Sequence, residues 1–193
     1  MIEISLETPA LGGRVSKGGL SFSYNALSKN LETSPPVIKK AIISAIEQAT
    51  SEAQQIAIEH FKAKLDCNDE YIRSRVRKVP VLGSVKYRGR IKISAKRIDL
   101  KHFRPVQTAR GVRIGTVFYR GAFGPNIPRL GRNVFNRVGK DRLPIRKRRG
   151  VSLVAVARRY GINEAVRIQF QYRARVYIER NMLRAVLGLI KAA

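Results

Sequence analysis

The 193-residue sequence predicts an α+β fold in which a mixed or antiparallel sheet is flanked by two long helices, one in the N-terminal half and one at the C-terminus. Three observations predict it. Apolar residues recur at three-four spacing after Pro35 and again after Asn163. Between those stretches, glycines and prolines divide the chain into short segments, the clearest of which alternates apolar and basic residues. No helix-length crossover separates the short segments, which favours antiparallel pairing. The length suits one sizeable core, so a single domain over 1–193 is expected. Its parts are an N-terminal arm and loop (1–34), a long helix (35–66), a sheet with loops (81–157) and a C-terminal helix (163–191).

Ile2 to Leu6 reads as a short edge strand, and the Gly- and Ser-rich stretch from Gly12 to Gly19 as a loop. Ser34-Pro35-Pro36 opens the first long helix, with Ser34 placed as the cap and proline near the first turn, where a missing N–H costs little. Ile38, Ile42, Ala45, Ala49, Ala53, Ile56 and His60 form its apolar stripe, widened by Ile46 and Ala57. Small alanines there allow another element to approach closely. Asn68 to Lys78 reads as a second, short helix carrying Arg73, Arg75, Arg77 and Lys78, ended by Pro80. The clearest strand follows: Val85, Tyr87, Gly89, Ile91 and Ile93 alternate with Lys86, Arg88, Arg90, Lys92 and Ser94, so one sheet face holds four cations. Val112 to Tyr119, Asn133 to Val138 and Ser152 to Val156 are further predicted strands.

Two periods compete near the C-terminus. Val166, Ile168, Phe170, Tyr172, Ala174, Val176 and Ile178 alternate as a strand would, yet Val166, Phe170, Ala174, Ile178, Met182, Ala185 and Leu189 fit a helical stripe. Helix is the better reading. The stretch from Asn163 to Lys191 has no internal proline, its only glycine is Gly188, and strands of that length are rare in small domains.

Charge is distributed unevenly. Lys and Arg number 39 against 13 Asp and Glu, a net +26 with pI near 11.3. Met1 to Glu70 holds seven cations and nine anions, whereas Tyr71 to Ala193 holds 32 cations and four anions. Such a field attracts polyanions or acidic protein surfaces. The dense run Arg146-Lys147-Arg148-Arg149, in a predicted loop before a strand, and the Lys86, Arg88, Arg90, Lys92 stripe are the candidate surfaces for a phosphate backbone met without sequence readout.

Catalysis is not expected. Asp99, Asp141, Glu164 and Glu179, the only acids after Glu70, are too scattered for paired-carboxylate or metal chemistry. Asp99 beside Arg97 and Lys101, and Asp141 beside Lys140 and Arg142, read as local ion pairs. Cys67 reads as an incidental thiol, since neither His60 nor His102 stands in a nucleophile motif, and no Cys/His spacing suits zinc. Tyr87, Phe103, Phe118, Tyr119 and Phe123 lie among cations without single-strand-binding spacing and read as core. No cofactor, metal, membrane segment or secretory signal is expected.

Three ordered segments carry a family resemblance. Arg90 to Phe103, then Arg120-Gly121-Ala122-Phe123, then Val134 to Ile145 with its Arg-x-Gly-Lys-x-Arg-x-Pro-Ile pattern, together resemble the prophage minor tail protein Z family of tail completion proteins. The match covers most of the chain from about Asn68, and the Gly124 to Pro128 segment has no counterpart in the family pattern. The resemblance implies a tail-completion-like α+β fold and a structural virion protein at the head-proximal end of a phage tail. It also implies a homo-oligomer, a hexameric ring around the DNA channel, assembled in the bacterial host cytoplasm. Its expected neighbours are the tail terminator or tail tube protein on one side and head completion or connector proteins on the other, with non-specific contact to genomic DNA. In such a ring the basic stripe or the Arg146 to Arg149 run would line the channel, and Gly121, Ala122 and Phe123 would be a loop contacting a partner. Composition alone favours another reading, a non-sequence-specific nucleic-acid-binding protein of ribosomal or nucleoid type.

Overall fold

The computed structural model describes residues 2–6, 14–16, 19–21, 35–79, 89–127, 129, 131–139 and 144–192, with side chains described only in 35–79, 89–127, 129, 131–139 and 144–190. The fold is α+β, with a long helix in the N-terminal half and another at the C-terminus, and every described strand pairing is antiparallel. The strands form several small sheets instead of one continuous sheet.

β1 (Ile2–Leu6) is an edge strand as expected, but the predicted Gly/Ser loop contains a small hairpin, β2 (Arg14–Ser16) with β3 (Gly19–Ser21). Helix α1 (Pro36–Lys64) has Pro35 at its N-cap with no side-chain capping bond, so the capping residue is not Ser34, which lies outside the described residues. Its buried side is Ile42, Ala45, Ile46, Ala49, Thr50, Ala53, Ala57, Ile58 and Phe61. The stripe therefore turns slightly from the predicted one at its C-terminal end, where Phe61 is fully buried and Ile56 and His60 are only half-buried. Thr50 is tolerated in the core because its hydroxyl donates to the Ile46 carbonyl at 2.6 Å.

The predicted second helix divides in two. α2 (Asp69–Arg75) starts at Asn68, whose side chain accepts from the Glu70 and Tyr71 amides, and gives way directly to β4 (Val76–Val79). Val76 and Val79 are three residues apart, so the local pattern does not mark a strand; pairing with β5 and burial of Val76 against the core decide the matter. Pro80 and the first part of the predicted strand, 85–88, lie outside the described residues; β5 (Gly89–Ile93) buries Gly89, Ile91 and Ile93 and turns Arg90 and Lys92 away, as the alternation requires. β5 is the centre of a three-stranded sheet in the order β1-β5-β4. A side chain at Gly89 would fall under 3.0 Å from the Thr50 hydroxyl and 3.0 Å from the Phe170 ring, so only glycine lets the strand press onto both helices there.

β6 (Arg97–Asp99) and a 3-10 turn (Leu100–Phe103) lead to β7 (Val106–Thr108), β8 (Gly111–Ile114) and β9 (Val117–Arg120). The predicted single strand 112–119 is thus a hairpin, because Gly115 at φ 54 turns the chain at its middle. The strand predicted at 133–138 is present as β10 (Phe135–Arg137), which pairs with β11 (Ile145–Lys147). The strand predicted at 152–156 is corrected: β12 (Arg149–Ser152) pairs with β6, and Ser152 then caps α3 (Leu153–Arg159) by accepting from the Ala155 amide at 3.2 Å. Leu153, Val154, Val156 and Ala157 are buried, a helical rather than alternating set. Gly161 at φ 63 breaks the run before α4 (Ile162–Ala192), the expected C-terminal helix.

α1 and α4 pack antiparallel. Arg173 and Tyr177 of α4 meet Glu52, Arg180 meets Gln48, and the Asn181 side chain donates to the Ala41 carbonyl at 3.4 Å. Ala49 and Ala53 leave room for Phe170 and Ala174, and all four are buried in the main core with β4, β5 and α3 residues. A second, smaller core joins Leu100, Val112, Ala122 and Val134, with Phe103 packed against both clusters.

Candidate polyanion-binding surface

The β4–β5 register makes a cationic surface. Val76 lies opposite Ile93, Arg77 opposite Lys92, Lys78 opposite Ile91 and Val79 opposite Arg90. Directly opposed residues share a face of an antiparallel pair. Because Val76 and Ile93 point into the core, Arg77 and Lys92 both point out. Two like charges directly opposite each other disfavour the pairing. Among the described residues no carboxylate makes an ion pair with Arg77, Lys92 or Lys96. On the far side of β5, the register sets Glu3 against Lys92 and Ser5 against Arg90.

A groove of about 510 Å³ opens beside this pair, lined by Arg75, Arg77, Lys78, Lys92 and Lys96 together with Ser74, Val79, Ile93, Ser94 and Ala95. Three of the five cations have a defined footing. Arg75 lies over the Tyr71 ring at 4.9 Å, Arg77 donates from Nε to the Ser74 carbonyl at 3.0 Å, and Lys78 donates to the Ser51 hydroxyl of α1 at 3.0 Å. The Ser94 amide, bonded to the Arg75 carbonyl at 3.1 Å, closes the end of the groove.

The Arg146 to Arg149 run is spread over β11 and β12 and is not a loop. Lys147 donates to Asp99 at 2.8 Å, Arg149 approaches the other Asp99 oxygen at 3.9 Å, and Arg148 donates to the Asn136 side chain at 3.0 Å. Asp99 therefore pairs across the β6–β12 neighbourhood and not with Arg97 or Lys101 as sequence proximity suggested. Burial raises its carboxyl pKa, but the Lys147 hydrogen bond and the charges of Lys147, Arg149 and Lys101 outweigh that and hold it below the usual carboxylate range. Of the four basic residues, Arg146 is exposed and has no side-chain partner among the described residues. Nearby, His102 stacks on Tyr71 at 3.9 Å, and burial together with the Lys101 charge pushes its pKa down. The Asp141 pairing lies outside the described residues.

Of the residues the sequence nominated, Arg90 and Lys92 stand on the outer face, while Lys86 and Arg88 lie outside the described residues. Arg75, Arg77, Lys78 and Lys96 complete the groove; the sequence set Arg75, Arg77 and Lys78 on a helix, and the pairing of β4 with β5 is what brings Arg77 opposite Lys92. Gly121, Ala122 and Phe123 are placed differently from one another. Gly121 is exposed at φ 67, Ala122 is buried in the second core, and Phe123 bridges Phe135 through reciprocal 2.9 Å backbone bonds with Arg137 over its ring. Gly124 and Pro125 are buried too, and the Ile127 amide bonds back to the Gly124 carbonyl. Of the aromatics read as core, Phe103 is packed between the two clusters, whereas Phe118 is 46% exposed; Tyr87 lies outside the described residues.

Cys67 is buried and its thiol is pushed up to about 11, chiefly by burial, which leaves it protonated and a poor nucleophile. Among the described residues no group of three or more His, Cys, Asp or Glu side chains is placed to hold a metal ion, and no helix is long and apolar enough to cross a membrane. Comparison with protein-family models, with curated proteins and with solved structures finds no match to this chain. The geometry by itself defines an α+β protein with a cationic groove at the end of a small antiparallel sheet.

Proposed function

We propose that this chain is a non-enzymatic structural protein of a phage virion, completing the head-proximal end of the tail and joining it to the head as part of a ring around the DNA channel. The observation that carries the reading is the opposed Arg77–Lys92 pair with its cation-lined groove, a surface that attracts an anion. Cations set on a sheet and a short connection contact phosphates without reading bases, which is what a DNA channel requires. The ordered segments Arg90 to Phe103, Arg120 to Phe123 and Val134 to Ile145, similar to the minor tail protein Z family, direct the reading to the tail.

A second reading rests on the same groove: a nucleic-acid-binding protein that acts alone. The two differ in where the anion is met. Cryo-electron microscopy of intact particles tests the first reading, which requires a ring of this chain at the head–tail junction with Arg77 and Lys92 towards the channel. Absence from the particle would reject it. Tight, steeply salt-dependent binding of duplex DNA by the isolated monomer would then support the second.

A further inference from the structure

We propose that the outer face of α4 is a docking surface for an acidic amphipathic helix of another protein, separate from the groove. The competing periods in the sequence contain the argument. Val166, Phe170, Ala174 and Ile178 are buried against α1, whereas the alternate residues Ile168, Tyr172 and Val176 are 54%, 64% and 41% exposed. With about 100° between successive helical residues, every second residue falls on nearly the opposite side, so the apparent strand period is two apolar stripes on one helix. The outer stripe continues through Leu183 (62% exposed), Leu187 (49%) and Ile190 (66%). From Ile168 to Ile190 it runs about 33 Å at about 1.5 Å per residue.

A helix apolar on two opposite sides ordinarily lies between two packed elements. α1 supplies one of them. An exposed apolar stripe of this length marks an interaction surface, and its three-four spacing, interrupted by Glu179 between Val176 and Leu183, fits the ridge of another helix. The charges bordering it choose the partner. Arg173, Arg175, Arg180 and Arg184 flank the stripe; Arg173 also meets Glu52 and Arg180 meets Gln48 on α1, and the single acid Glu179 is held by Arg175 at 2.9 Å. Flanking charges set partner choice between paired helices, so carboxylates beside the partner's apolar ridge complement this face. A second copy would bring the same arginines against each other on a chain of net +26.

The test uses the full chain and three labelled peptides of about six helical turns, the length of the stripe at about 3.6 residues per turn. One has a leucine ridge flanked by glutamates, one has the same ridge flanked by lysines, and one has the acidic composition scrambled to abolish the ridge. Fluorescence anisotropy is expected to give saturable binding of the first alone, weakened at least about tenfold by Leu183→Glu with Leu187→Glu. Both substituted positions are exposed, so circular dichroism should give an unchanged melt. Equal binding of the scrambled acidic peptide would assign the attraction to charge alone and overturn the proposal, as would binding that survives the double substitution. Concentration-dependent dimerisation of the wild type, lost in the variant, would assign the stripe to a second copy and also overturn it.

Discussion

Gly89 shows how much a single position decides. A methyl group there meets the Thr50 hydroxyl and the Phe170 ring at once, and Thr50 is itself committed to the Ile46 carbonyl. Gly89→Ala should destabilise the fold by about 1–3 kcal/mol through overpacking, read as a lower urea midpoint with unchanged slope. Asp99 governs the acid response. The folded pKa values of Asp99 and His102 both lie below their ordinary values of 3.8 and 6.5, so the unfolded chain binds more protons as pH falls. The stability they contribute is complete above those ordinary values and is lost on acidification, first below 6.5 for His102 and then below 3.8 for Asp99. Asp99→Asn should cost on the order of 1 kcal/mol at neutral pH and flatten the acid limb of a stability-against-pH curve.

At the scale of the element, the β4–β5 pair separates stability from binding. Opposed like charges weaken a cross-strand pair, so Arg77→Gln should raise stability by about 0.2–1 kcal/mol in thermal unfolding. The same substitution should weaken DNA binding and reduce the slope of log affinity against log salt by about 0.9 if Arg77 meets one phosphate. A variant that loses stability and keeps the full slope would show that Arg77 serves the fold. The run at 146–149 behaves differently. Lys147, Arg148 and Arg149 already have side-chain partners, so replacing Arg146 should change the salt slope more than replacing Lys147, which should instead lower stability.

For the whole molecule, the α1–α4 pair is the frame on which β5 and α3 pack. Phe170 is 1% exposed between α1 alanines and β5, and Phe170→Ala should cost about 3–5 kcal/mol, enough to unfold a marginal domain, measured by denaturant titration. The same frame leaves the outer side of α4 free along its length, while the groove lies at the end of the sheet. Two surfaces of different chemistry therefore coexist on one core, a charged one for an anion and an apolar one bordered by arginines.

The sequence by itself determined both long helices, the edge strand at the N-terminus and the alternation of β5, because each carries a complete period over several residues. It also determined the basic character of everything after Glu70, since charge needs no fold to be counted. Only tertiary structure decided that Val76 belongs to a strand, that Ser152 starts a helix and that 112–119 turns back at Gly115. Those segments are short, and burial against neighbours distant in sequence outweighs local propensity there. Only tertiary structure, too, set Lys147 and Arg149 on Asp99 and Arg77 opposite Lys92: a side chain's charge is local, but its partner is chosen by strand register.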